Sequence, residues 1–127
     1  MSRHAINVDT APAVGPYSHA VSAAGLLFLS GQTATDAATR ALPTGGAAQQ
    51  TRQCFKNLLA VLVAAGATLE QVVEVRVYLT DMNDFKAMNA AYAEFFTAPY
   101  PARTTIGVAS LPLGARVEIG MVATVKG

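Results

Sequence analysis

Pro101-Ala102-Arg103-Thr104-Thr105-Ile106-Gly107-Val108 and, after a short loop, Arg116-Val117-Glu118-Ile119-Gly120 both read as β-strands. Successive side chains of a strand point to opposite faces, so Ile106 and Val108 fall opposite Arg103, Thr105 and Gly107. Arg103 is therefore expected to face away from the apolar side. In the second segment Val117, Ile119, Met121, Ala123 and Val125 alternate with Arg116, Glu118, Gly120, Val122 and Thr124, which puts Glu118 on the less apolar face too. One sheet face is thus expected to carry a guanidinium and a carboxylate together. Two readings fit that pair. It is an anion-binding fork beside a general base, because Arg presents planar bidentate donors to a carboxylate and Glu can deprotonate water, or it is a solvated cross-strand ion pair.

Outward from these strands the pattern stays regular. Val73, Val75, Val77 and Leu79 alternate with Glu74, Arg76, Tyr78 and Thr80, the clearest strand in the chain. Asp81 is placed to cap a following helix that runs to about Thr97, with Phe85, Met88, Tyr92, Phe95 and Phe96 as its apolar stripe and Pro99 and Pro101 enforcing its stop. Asn89, four residues after Phe85, sits at the margin of that stripe and needs a polar partner, a nearby backbone group being the simplest. Tyr92 reads as core. Upstream, Ala47 to Ala65 reads as a longer helix that Gly66 ends in a left-handed cap. Leu26-Leu27-Phe28-Leu29-Ser30 has the unbroken apolarity of a strand buried on both faces, and strands are expected at Ala5 to Val8 and His19 to Ala24. Extended loops are expected from Pro12 to Tyr17 and from Thr33 to Gly46. Strands and helices in this order predict one α+β domain over residues 1–127, a mainly antiparallel sheet with both helices on one face and Arg103, Glu118 and Tyr78 on the other.

Charged residues make up only 13% of the 127 residues and hydrophobic ones 52%, against a usual charged share of about a quarter, so little charge is available to cover a monomer. A homo-oligomer is expected. Nine Lys/Arg are scattered rather than clustered, and the net charge of +1 speaks against nucleic acid as a partner. One cysteine, Cys54, excludes an internal disulfide and reads as a small buried hydrophobe. With only His4 and His19 beside it, no residue set has metal-ligand spacing. Neither a nucleotide-binding glycine pattern nor a nucleophile elbow occurs, and Ser18 and His19, as strand neighbours, point apart. No cofactor and no metal are expected. The longest apolar run, Leu58 to Ala67, is too short to span a bilayer, and no signal core follows the N-terminus, so the expected location is the cytoplasm, or an organelle matrix after loss of a presequence.

Ala13-Val14-Gly15-Pro16-Tyr17-Ser18, Leu29-Ser30-Gly31-Gln32, Asn57 to Gly66, Asp84-Phe85 to Phe96 with Asn89 inside, Pro101-Ala102-Arg103 and Val117-Glu118-Ile119 come in an order and spacing that resemble the Rid/YjgF family, the reactive intermediate imine and enamine deaminases. The resemblance covers almost the whole chain. It implies a chorismate-mutase-like α+β fold assembled as a homotrimer, with sites in the clefts between subunits. It also implies hydrolysis of 2-imino acids, the tautomers of the enamines that pyridoxal-phosphate-dependent dehydratases release, to 2-keto acids and ammonia. Arg103 would hold the substrate carboxylate and Glu118 would position or activate water, while Tyr17, Ser30, Gly31, Asn89 and Thr105 line the pocket. At Thr105, where many bacterial relatives carry Cys, the backbone rather than the side chain is expected to meet the substrate. Thr104 replaces a usual Ser, Ala or Cys, and Gly120 stands where an acidic residue is frequent. A ligand-binding module for small carboxylates is a rival reading that the pairing of Arg103 with Glu118 disfavours. An RNA-cleaving or translation-inhibiting protein is a second, disfavoured by the near-neutral charge, and a chaperone-like interaction protein is a third.

Overall fold

In the computed structural model, residues 3–9 and 15–125 are described. Pro12 of the expected loop and Ala13-Val14 of the family-like motif lie outside them. The alternating segments form the centre of a six-stranded sheet: β1 (His4–Ile6), β2 (Ala20–Ala23), β3 (Leu26–Thr33), β4 (Val72–Leu79), β5 (Ala102–Gly107) and β6 (Val117–Thr124), in the order β1-β2-β3-β6-β4-β5. All neighbours are antiparallel except β4 and β5. Helix α1 (Ala47–Ala64) links β3 to β4, and α2 (Phe85–Tyr92) links β4 to β5. Both connections join strands of the same direction, which requires a crossover, and each crossover helix covers the same face of the sheet. The fold is the expected α+β arrangement.

The core lies between that face and the helices. Leu27, Leu29, Val75, Val77, Ile119 and Met121 from the sheet meet Cys54, Phe55, Leu58 and Leu62 of α1 and Met88 of α2, all buried. Each large side chain so buried contributes about 1.5–3 kcal/mol from apolar surface removed from water. Phe55 also stacks on Phe95 at 4.5 Å between centroids and meets Tyr92 and Phe96 edge-on at 5.6 and 5.7 Å. Cys54 is fully enclosed with its sulfur 3.7 Å from the Val117 carbonyl, and burial pushes its thiol pKa far up.

Helix ends follow local chemistry. Gly66 (φ 74°) lets α1 close in a Schellman motif, with the Ala67 N–H donating to Leu62 O at 2.9 Å and the Gly66 N–H to Val63 O at 3.0 Å. Asp81 accepts from the Asn83 N–H at 2.9 Å, so it caps a short 3-10 turn that leads into α2. α2 itself stops at Tyr92, earlier than the expected Thr97. Beyond it the Glu94 and Phe95 N–H groups reach back three residues, to Ala91 and Tyr92, and this tighter winding turns Phe95 toward Phe55.

Two side-chain ties hold the layers in register. Asn57 of α1, buried, donates from Nδ2 to the Thr33 and Thr35 carbonyls at 3.1 and 2.9 Å, which fastens the end of β3. Arg116, just ahead of β6, grips Asp84 through two bonds of 2.9 and 2.7 Å, while its backbone N–H donates to Gln50 Oε1 at 2.8 Å. The start of the strand that presents Glu118, and the end of the strand beside it, are thereby fixed. The opposite sheet face carries no helix, and there Phe28 of β3 and Ile106 of β5 are each 46% exposed. Phe28 corrects the expectation of a strand buried on both sides: Leu27 and Leu29 face the core, and the residue between them does not.

Candidate active site

On β5 the observed facing is the reverse of the expected one. Arg103 registers with Val75 and Thr105 with Val77, and both valines are fully buried beneath the helices, so Arg103 and Thr105 point to the covered face and Ile106 to the open one. β5 is an edge strand overlaid only by α2. At such a margin a guanidinium lies along aromatic surface with its polar tip outward, and the apolar residue is left for the uncovered side. The Arg103 Cζ sits 4.6 Å from the centroid of the Tyr92 ring and 5.7 Å from that of Phe85, and Nη1 donates to Asn89 Oδ1 at 2.7 Å. Asn89 thus finds its partner in Arg103 rather than in backbone. Tyr92 is a core residue that also supplies the platform under the guanidinium, and its buried hydroxyl is pushed up in pKa by desolvation, with Arg103 opposing. The Tyr92 hydroxyl and Thr105 Oγ1 are buried with no hydrogen-bond partner among the described residues.

Glu118 belongs to the other face. It registers with Tyr78 of β4 and Thr33 of β3, while its neighbours Val117 and Ile119 point into the core. β3 is bulged here. Its register passes from Leu29↔Met121 to Gln32↔Ile119, so Ser30 and Gly31 together oppose Gly120. The Glu118 side chain lies over the bare backbone of Gly31, where any Cβ would run into Oε2. Ser30 Oγ donates to the Ser18 carbonyl at 2.6 Å, and the Ser30 N–H donates to the His19 carbonyl at 2.9 Å. These bonds bring the Tyr17 loop beside the bulge, with Tyr17 43% exposed. Burial raises the Glu118 pKa above the ordinary carboxylate value, and Arg76 opposes that shift.

The candidate residues therefore form two groups. Arg103, Asn89 and Thr105 stand together on the helix side, and Glu118 lies over Gly31 on the open side, at the bulge where Ser30 ties down the loop that carries Tyr17. Within one chain the sheet itself separates Arg103 from Glu118, which overturns the expectation of a shared face. Sequence reasoning also passed over two residues, Tyr92 beneath the Arg103 guanidinium and Arg76 beside Glu118. A glycine inside the strongly alternating β6 was the available signal for Arg76, since strand glycines mark close approach of another group.

Among the described residues no helix is long and apolar enough to cross a membrane. The family model described as Endoribonuclease L-PSP matches residues 8–125. The RutC family protein y4sK of Sinorhizobium fredii is 48% identical over 115 residues, covering 90% of this chain and 91% of that protein. The 2-iminobutanoate/2-iminopropanoate deaminase of Homo sapiens is 41% identical over 122 residues, with 95% and 89% covered. The crystal structure of YyfA, a Rid-family protein from Yersinia pestis, superposes with a TM-score of 0.92 at 38% identity, covering 97% of this chain and 99% of that one. Matches of this extent and fold make the chain a member of the Rid/YjgF family.

Proposed function

We propose that this protein hydrolyses 2-imino acids, and the 2-enamino acids that tautomerise to them, to 2-keto acids and ammonia, in sites shared between adjacent copies of a homotrimer. The observation that carries this reading is the division of the site. A planar cation and a half-buried carboxylate, each held by built surroundings, sit on opposite faces of one sheet, so two copies must meet for both to reach one substrate. Uncovered apolar residues on the open face, Phe28 and Ile106, favour such a meeting. The human relative's name supplies the substrate class.

Arg103, braced by Asn89 and Tyr92, keeps donors beyond the Asn89 bond for the substrate carboxylate and so orients C2. Glu118 of the neighbouring copy takes a proton from water as the oxygen attacks C2 and the imine nitrogen is protonated. Glu118 then gives its proton to the carbinolamine nitrogen, the hydroxyl proton passes to solvent in place of the one the imine nitrogen took up, and the C–N bond breaks to release ammonia and the keto acid. Tyr17, Ser30, Gly31 and the Thr105 backbone border the substrate. Imines of this kind hydrolyse unaided, so one positioned base worth about 10²–10⁴-fold supplies the gain required.

The test couples an amino-acid oxidase to semicarbazide, which traps imines before they hydrolyse. Wild-type protein is expected to suppress trapping and Arg103→Ala is not. No suppression by the wild type across small and large imino acids would refute the hydrolase and leave a carboxylate-binding module. Light scattering that finds only monomer under assay conditions would refute the shared site.

A further inference from the structure

Arg76 crosses the open face from the middle of β4. Its Nη1 donates to Glu74 Oε1 at 3.0 Å, and Nη2 reaches over β6 toward the Leu29 carbonyl of β3 at 3.5 Å. The guanidinium covers Gly120 closely: a Cβ there would lie 2.6 Å from Nη2 and 3.4 Å from Cζ. That same Cβ would lie 3.5 Å from the Gly31 Cα, and Gly31 is the residue on which the Glu118 side chain rests. Two facing glycines thus clear a floor that a cation and a carboxylate occupy side by side.

Resting on the reading of Glu118 as the base, we infer that Arg76 is a positioning residue for it: the guanidinium laid across Gly120 keeps the Glu118 carboxylate charged and in place above Gly31. Burial alone favours the neutral acid, which cannot accept a proton from water. Within its own chain no other group among the described residues around Glu118 supplies a counter-charge, and Arg103 of the neighbouring copy, which shares the proposed site, is unchanged in every variant below. From β4 Tyr78 faces it as a phenol and Glu74 is itself an anion, already paired with Arg76. From β3 come Ser30, Gly31 and Thr33, none of them charged. Arg116 ahead of β6 is committed to Asp84, and Cys54 of α1, across the sheet, is kept neutral by burial. Gly120 is the condition for this arrangement, because any side chain at that position takes the space of the guanidinium.

An NMR titration of the Glu118 carboxyl, assigned by difference against Glu118→Gln, tests the inference without substrate. Arg76→Met is expected to raise the titration midpoint, the effect of losing a partly solvated positive charge beside the carboxylate. Arg76→Lys is expected to keep the midpoint near the wild-type value. Gly120→Ala, which displaces the flexible guanidinium without removing it, is expected to raise the midpoint by less than Arg76→Met. The acid limb of imine hydrolysis should move with the midpoint in every variant. An unchanged midpoint in Arg76→Met overturns the inference, and so does an equal shift in the Met and Lys variants, which would mark lost packing instead of lost charge. Full imine hydrolysis by Glu118→Gln would remove the base role from Glu118 while leaving the effect of Arg76 on its titration to stand or fall separately.

Discussion

Arg103→Ala and Glu118→Gln, each inactive alone, are expected to rescue one another inside mixed assemblies. Arg103 registers with Val75 on the helix-covered face and Glu118 with Tyr78 on the open face, so a site using both draws its clamp from one copy and its base from the next. In a mixed population a working site needs its clamp from a Glu118→Gln chain and its base from an Arg103→Ala chain. With equal amounts and random assembly each condition holds half the time, so about one quarter of the sites are intact. Co-expression of the two variants, followed by the semicarbazide assay, should therefore return about a quarter of the wild-type rate per chain, within the scatter of unequal expression. The separately purified variants, mixed without exchange of subunits, should return nothing. If light scattering and tag pull-down confirm mixed assemblies and the rate still equals the sum of the two variants, clamp and base act within one protomer and the divided site is wrong.

Gly31→Ala should lower kcat by about 10²-fold, of the order of a misplaced general base, because the new Cβ occupies the Glu118 carboxylate position. The circular dichroism spectrum should be unchanged, and a variant with wild-type kcat would show that the carboxylate need not rest there. Glu118→Gln should be at least as stable as wild type near neutral pH. The folded-state pKa of Glu118 is raised, so the folded state holds its proton more tightly, and stability is lost as pH climbs from the ordinary carboxylate value through the raised one. Gln removes that loss, so a thermal midpoint clearly below wild type at pH 7 but not at acid pH would refute the assigned direction. Tyr92→Leu should raise KM several-fold through loss of a cation–π contact worth about 0.5–2 kcal/mol, whereas Tyr92→Phe keeps the ring face and should leave KM near wild type. Equal effects of the two changes would assign the role to the hydroxyl.

The central strands were legible because burial there is one-sided and complete. Val75, Val77, Ile119 and Met121 are fully buried, so period-two alternation translated directly into facing. Gly66 and Asp81 announced their turns through chemistry that acts within a few residues of chain. Asn89 was expected at the margin of its helix stripe and is exposed, and its partner, fourteen residues on, could not be read from spacing. The facing of Arg103 failed for a reason tied to the edge. At β5 the core is thin, the covering surface is aromatic, and Ile106 lies where the chain leaves it uncovered, so polarity no longer marked the solvent side. A wrong face for one residue was enough to misplace the whole site within a single chain. The early end of α2 at Tyr92 likewise depended on tertiary pull, because stacking of Phe95 on Phe55 rewards a tighter turn than the stripe of aromatics implied.

Cys54 gives the chain an internal clock for its own opening. Its sulfur is enclosed between α1 and the backbone of β6, so no thiol reagent reaches it until α1 parts from the sheet. With a single cysteine in the sequence, every labelling event reports that one separation. Under conditions where reclosing outpaces labelling, the labelling rate divided by that of an unfolded peptide gives the equilibrium fraction open. The same enclosure keeps the thiol out of reach of the hydrogen peroxide that an amino-acid oxidase generates, so the assay that reads the chemistry leaves this reporter intact.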